Sequence, residues 1–415
     1  SESARNLLHK ALGRIDGDLC ILDYHCHLAG RGHGSSCCVP PQEPGHFGAV
    51  LNRAKMRCFM SAFGVDNDEL DTAAAERLAV LVRHASLHVA AAGKETISGS
   101  DAALFDTFSS RSTRWRSVLL AFDGRYDRET GELLREMSPM IVPNDYIFDM
   151  AAQYPDAFVP ACSVNPLRKD AVAELERCAA RGSRICKWLP NSMRFSPADD
   201  CCDPFYDACV RLNMSILCHV GDETSVDMLG ARVDNTLGNP LLLRRALAKG
   251  VKVIAAHFAS EGSSIDDDGK RSENFNLLLG MMENPAWKQT LFADISAMTI
   301  FKRLPKLVSL LEHPELLARC VFGSDYPVPC LGGRIIGTRP QPFALMYGGF
   351  FAPQLAASGL LSRADATALD EIFQYNPLLF DLVLKLVVCH PSSGVMLPAT
   401  LFGPHPLLPP AAAAT

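Results

Sequence analysis

Eight short runs rich in apolar residues, separated by helix-like stretches, constrain this 415-residue chain more than any other feature. They predict strands at 19–24, 117–122, 158–164, 184–189, 214–220, 251–258, 291–296 and 320–324. The ends of the last six, Val164, Lys187, His219, His257, Asp294 and Asp325, follow one another at intervals of 23 to 38 residues. Such an interval accommodates one parallel β-strand and the helix that crosses over to the next. Helix signals fill the gaps. Asp203-Pro204 and Asn239-Pro240 read as helix starts, Gly250 closes the second helix, and Gly182 lies just past a helical pattern at Asp170–Ala180. The alternation predicts an α/β chain folded as a (β/α)8 TIM barrel, with a doubly wound open sheet as the alternative.

One gap breaks the rhythm. His27 and Phe122 are 95 residues apart, too far for a single crossover. A helical insertion at about 31–113, Gly/Pro-rich at its start, is expected after the first strand. In a barrel it leaves the C-terminal face and helps cover the active site. The barrel unit is expected to span 1–390, ending in a C-terminal helical extension from Ser362 to about Val388. A Pro/Ala-rich tail, 391–415, is expected to be poorly packed or docked as an extended arm.

Composition narrows the partners. A net charge of -6 argues against nucleic acid or an anionic membrane as the main partner, leaving a small-molecule substrate. No run reaches the roughly 18 to 20 apolar residues of a membrane span. The opening residues lead into no apolar core of signal-peptide type. Fifteen cysteines, an odd number without CxxC spacing, read as reduced thiols in a cytoplasmic protein. The adjacent pairs Cys37-Cys38 and Cys201-Cys202 carry no readable role.

The chemistry concentrates at strand ends. In His25-Cys26-His27 the two imidazoles alternate onto one face, where they can bind one metal ion. Lys187, His219, His257 and Asp325 each end another apolar strand. In a barrel these ends converge on one mouth, where uncompensated polar groups are costly to bury and a metal ion resolves the cost. Ile185, Leu217, Val253, Ala255, Val321 and Gly323 share the parity of these residues and are expected to line the interior.

This pattern, HxH, Lys, His, His and Asp in strand order, resembles the amidohydrolase superfamily of metal-dependent barrels, over about 19–380. Gly323-Ser324-Asp325-Tyr326-Pro327 and Ile372-Phe373-Gln374-Tyr375-Asn376-Pro377 resemble the branch containing aminocarboxymuconate-semialdehyde decarboxylase. Cys186-Lys187-Trp188-Leu189-Pro190-Asn191 is similar to the stretch around the bridging lysine of dihydroorotases. The resemblance implies that His25, His27, His219 and Asp325 hold a metal. Zn²⁺ is the first choice for imidazole and carboxylate donors, with Mn²⁺ and Fe²⁺ open. Asp325 is then the expected base, and His257 polarises the substrate or binds a second ion. One ion is favoured; two require a carboxylated Lys187. A homodimer is expected only at the level of the superfamily.

Other candidates surround this set. Asp23, with the parity of His25, is expected to point inward one layer deeper. Arg31, Arg125, Trp188 and Arg194 are candidates for substrate binding, Arg125 as a bidentate partner for a carboxylate. His33, His46 and Asn191 are weaker candidates, Glu223 is a loop cap or pocket residue, and Asp266-Asp267-Asp268 reads as a solvated loop. The expected activity is hydrolysis of an amide, lactone or ester of a small polar substrate by metal-activated water. The first rival is metal-dependent, non-oxidative decarboxylation of an unsaturated or aromatic acid, which needs a cationic anchor such as Arg31, Arg125 or Arg194. A non-catalytic barrel would not need the full ligand set.

Overall fold

The computed structural model describes residues 1–15, 19–29, 71–91, 114–138, 140–226, 233–300, 302–328, 356 and 359–408. Each of the eight predicted runs supplies one barrel strand. These are β1 (Ile21–His27), β2 (Trp115–Leu120), β3 (Phe158–Ala161), β4 (Ile185–Trp188), β5 (Ser215–Cys218), β6 (Val253–Ala255), β7 (Leu291–Asp294) and β8 (Cys320–Val321). They pair in parallel in two sheets, β1-β2-β3 and β4-β5-β6-β7-β8. Parallel bridges join the sheets at both seams. Cys162 pairs with Cys186 between β3 and β4, and Cys26 with Tyr326 just past β8. At the second seam the Tyr24 N–H also donates to the Phe322 carbonyl. The chain is therefore the TIM barrel that the spacing predicts.

Helices follow from the same local signals. Among them are α1 (Glu2–Leu12), α2 (Asp71–Ala91), α3 (Asn144–Gln153), α4 (Ala171–Ala180), α5 (Asp203–Arg211), α6 (Arg244–Ala248), α7 (Asn274–Glu283) and α8 (Leu304–Leu310). Asn239 accepts from the Leu241 N–H at the start of the 3-10 turn that leads into α6, and Gly250 takes a positive φ of 85° beyond its end. The C-terminal extension is two helices, α9 (Arg363–Tyr375) and α10 (Pro377–Val387), divided at Asn376. Asn376 accepts from the N–H groups of Leu378 and Leu379, so it starts the second helix as the first ends. Of the insertion, only α2 and the entry to β2 lie within the described residues. Asp266-Asp267-Asp268 forms the largely exposed turn of a small hairpin, Ser263–Ile265 with Arg271–Glu273.

Two apolar layers follow from strand alternation. Inside the barrel, Leu22, Tyr24, Val118, Leu120, Val159, Ala161, Ile185, Leu217, Ile254, Ala256, Phe292 and Val321 form one cluster, with at least one residue from each strand region. Alternate residues such as Ile21, Leu119, Cys186, Ile216 and Ala293 pack outward with the helices. Two expectations of parity are corrected here. In β6, Ile254 and Ala256 face inward, while Val253 and Ala255 face the helices. The backbone turns left-handed at His257, with φ of 56°, so counting back from that residue assigns the wrong face. In β1 the pairing register shifts between Asp23 and Cys26. Leu22 and Tyr24 are the inward residues, and Asp23 instead bonds Ser324 through both its N–H and its hydroxyl.

The tail is docked through Leu408. Leu397, Leu401, Phe402 and Leu408 are buried, and Leu408 belongs to the interior barrel cluster. Tyr24 Oη donates to the Leu408 carbonyl at 2.9 Å, and the Phe402 ring lies 5.3 Å from that of Phe322. Residues 409–415 lie outside the described residues. A buried ion pair ties α10 to the same region. Lys385 Nζ lies 2.5 Å from Asp381 and donates to the Gly323 carbonyl at 2.8 Å. Phe402→Ala is therefore expected to cost about 3–5 kcal/mol in urea unfolding. Wild-type stability in that variant would show that the tail is not part of the core.

Candidate metal centre

Gly323 lets two strand ends meet. A Cβ at this position would lie 2.8 Å from His25 Cβ and 2.9 Å from Ser296 Cβ. Two residues on, Asp325 takes a left-handed φ of 58°, held by its N–H donating to the His25 carbonyl at 2.7 Å. This conformation is uncommon for a non-glycine residue. It accompanies a carboxylate turned to the β1 histidines, with Oδ1 3.4 Å from His25 Nε2 and 3.3 Å from His27 Nε2.

His25 is fully buried and committed on both ring nitrogens. Nδ1 donates to Asp294 Oδ2 at 2.8 Å, and Nε2 lies 3.1 Å from both His27 Nε2 and Lys187 Nζ. With the Nδ1 proton directed to a carboxylate, the Nε2 lone pair faces the mouth, as in metal-ligating histidines. Burial, then repulsion from Lys187, pushes the His25 pKa well below the usual histidine value. Burial does the same for His257, helped by Arg303, and lowers His219 to about 3. All three rings are therefore neutral at physiological pH. Burial also lowers the Lys187 pKa, against the pull of Asp294 and Asp325. Asp325 responds oppositely. Burial opposes its charge, but His25, His27 and Arg303 outweigh it and hold its pKa below the ordinary carboxylate value.

Neutral imidazoles and an ionised carboxylate are a donor set for a divalent cation. The fit shows in one unsatisfied atom: His219 Nε2 is buried with no hydrogen-bond partner, 3.6 Å from Glu223 Oε2. His25, His257 and Asp325 form a buried trio with ligand atoms within 4.8 Å of one another. His257 thus joins the convergent trio directly. His257 Nδ1 contacts Ser296 Oγ at 2.8 Å and the Ser296 carbonyl at 3.2 Å. The Ser296 hydroxyl donates to Asp294 Oδ1. Nδ1 therefore carries the proton, and His257 Nε2 keeps its lone pair.

The cleft above the trio is lined by His27, Phe122, Lys187, His219, Glu223 and Arg303, among others. Its empty space is about 530 Å³, open solvent at the mouth included. The proposed substrate contacts fare differently. Arg31, with His33 and His46, lies outside the described residues. Trp188 points away from the mouth because Lys187 takes the inward position on β4. Its Nε1 donates to the Val164 carbonyl, and its ring packs 4.8 Å from Phe195 and 5.2 Å from Phe205. Arg125 is buried, with Nε donating to the Ser192 carbonyl rather than lining the cleft. Arg194 is 43% exposed in its side chain and sits 3.4 Å from Asp234. Asn191 Nδ2 donates to the Gly221 carbonyl and to Asn235 Oδ1, and Asn191 does not line the cleft.

Three participants were not assigned a role from sequence. Asp294 is legible as a strand end at the regular interval, which is a usable signal. Ser296 lies two residues beyond it. Arg303, in the segment entering α8, has no sequence signal and reaches the cleft only through the fold.

The family model for amidohydrolases matches residues 23–335, three quarters of the chain, and the protein belongs to that family. It is an enzyme of a metal-dependent superfamily, as the resemblance implied. No curated protein matches the chain. Solved structures similar to it include an uncharacterized TIM-barrel protein from Bordetella bronchiseptica, at 16% identity and TM-score 0.45, covering 84% of this chain and all of the other. A probable 2-pyrone-4,6-dicarboxylic acid hydrolase from Acinetobacter baumannii has 12% identity and TM-score 0.40, covering 87% and 95%. The 5-carboxyvanillate decarboxylase of Sphingomonas paucimobilis has 11% identity and TM-score 0.36, covering 91% and 99%. No helix among the described residues is long and apolar enough to cross a membrane.

Asp294→Asn is expected to weaken metal affinity by about 10- to 100-fold, because it loosens His25 and His257 without removing a ligand. His219→Ala is expected to lower metal content further. Elemental analysis after dialysis against graded chelator checks both. Unchanged metal retention in both variants would refute the centre.

Proposed function

We propose that this protein is a mononuclear metal-dependent hydrolase acting on an amide, lactone or ester of a small polar molecule. The observation that carries this reading is the convergence of His25, His257 and Asp325, with ligand atoms within 4.8 Å of one another, in the cleft that also holds the unpartnered His219 Nε2. Asp325, His25, His27 and His219 would hold the ion, with His257 beside them. When bound, a divalent ion supplies Lewis acidity and makes water a stronger acid, Zn²⁺ being the first choice and Mn²⁺ or Fe²⁺ the alternatives.

The remaining chemistry belongs to side chains. Asp325 is charged at neutral pH and accepts the proton of the attacking water. His257 has its Nδ1 proton fixed by Ser296, so Nε2 is its proton-accepting atom. The proton that Asp325 takes from water is the one the leaving group needs, and Asp325 returns it as the bond to that group breaks. Lys187 stays an unmodified amine in this reading, since Nζ already sits 3.1 Å from His25 Nε2. The free thiols among the described residues suit a cytoplasmic setting.

A second reading, decarboxylation, draws support from two cationic residues, Lys187 and Arg303, on the cleft. The two are separated by assaying the metal-loaded protein against esters, lactones, amides and unsaturated acids, with acid release and CO2 followed together. Hydrolysis is expected, abolished by chelation and reduced at least about 100-fold in Asp325→Asn. CO2 release without hydrolysis would replace the first reading with the second.

A further inference from the structure

Arg303 carries a buried charge that the fold leaves incompletely paired. Its side chain is 8% exposed, and Nε donates to Glu261 Oε1 at 2.5 Å. Nη1 is buried and has no hydrogen-bond partner among the described residues. The same residue lines the cleft that holds His25, His219, His257 and Asp325. A buried guanidinium N–H without an acceptor keeps the cost of losing its water and gains nothing in return. Such a group in a native site calls for an explanation, and a missing ligand is one.

The neighbours do not supply the acceptor. Glu261 is shared, since Lys302 Nζ also donates to it, at 2.6 Å. Glu223 spends Oε1 on the Val226 N–H and turns Oε2 towards His219. Asp325 is directed to His25 and His27. Arg303 and the metal ligands line the same cleft, so an anion bound there lies within reach of both.

We propose that Arg303 is the substrate anchor, its unpartnered Nη1 binding a carboxylate that the substrate carries. The substrate class is thereby narrowed to small carboxylic acids bearing a hydrolysable bond, a step that rests on the hydrolase reading above. Arg303 replaces Arg125 and Arg194, the arginines legible from sequence that the fold directs elsewhere. The guanidinium, planar and always charged, suits carboxylate recognition better than a lysine in the same place.

The test uses malonate and its uncharged counterpart malonamide as probes, titrated calorimetrically into metal-loaded and chelated full-length protein. Wild type is expected to bind malonate about 10- to 100-fold more tightly than Arg303→Gln does. Arg303→Lys should fall between, and the order should persist after chelation, when no ion can hold the probe. Equal malonate affinity in wild type and Arg303→Gln would overturn the proposal. So would malonamide binding as tightly as malonate to wild type, a comparison that decides even if the variants fail to fold. Arg303-dependent malonate binding with no hydrolysis of any ester, lactone or amide would leave the anchor standing and remove the hydrolase reading. Hydrolysis with KM and malonate affinity both unchanged in Arg303→Gln would do the reverse.

Discussion

One carboxylate organises the mouth of this barrel. Asp294, at the end of β7, accepts from His25 Nδ1, from the His257 backbone N–H, and from both the N–H and the hydroxyl of Ser296. Through those bonds it fixes a ring on β1, the backbone past β6 and the turn after β7 itself. Asp294 is completely buried. A charge in that position is tolerable only because each contact is a hydrogen-bond donor. The tautomers of both histidines follow from it, and so does the direction in which each lone pair points.

A second buried network supports the first from outside the barrel. Asp23 accepts from the N–H groups of His25 and Ser324 and from the Ser324 hydroxyl. Lys385 reaches in from α10 to the Gly323 carbonyl while paired with Asp381, and Thr299 donates to the same carboxylate. The β1–β8 seam, where few strand pairs close the circle, is thus tied by side chains. Two of the ligand-bearing segments, His25 to His27 and Asp325, lie at that seam. Replacing such networks by apolar groups can be energetically neutral, so their role here is positional rather than a matter of bulk stability.

The fold was legible because the barrel is written locally, in strand-length apolar runs and the intervals between them. The strand-end residues were legible for the same reason: each breaks an apolar run at its C-terminal end. Reading failed where backbone geometry departs from simple alternation. The left-handed turn at His257 and the register shift in β1 reverse faces without altering the residue pattern. Trp188 read as a pocket residue because it lies at the end of the fourth strand, yet alternation sends it to the helix layer. Arg303 could not be found at all, because its importance arises from what it lacks, an acceptor, and a sequence does not record that. For the tail, poor in charge, the sequence left open a loose end or a docked arm; the described part is docked, through a few apolar side chains set among the prolines.

That place has a consequence for the order in which the protein can be made. Leu408 joins a cluster begun by Leu22 and Tyr24, and α1 also packs against the C-terminal helices. A ribosome delivers these partners nearly 400 residues apart. At about 5–20 residues per second, the base of the barrel waits tens of seconds for the side chain that seals it. Over the last part of that wait, after β8 ends at Val321 and before Leu408 arrives, the nascent chain carries the full set of strands with an open apolar floor. Such an intermediate is the kind of surface that a chaperone recognises.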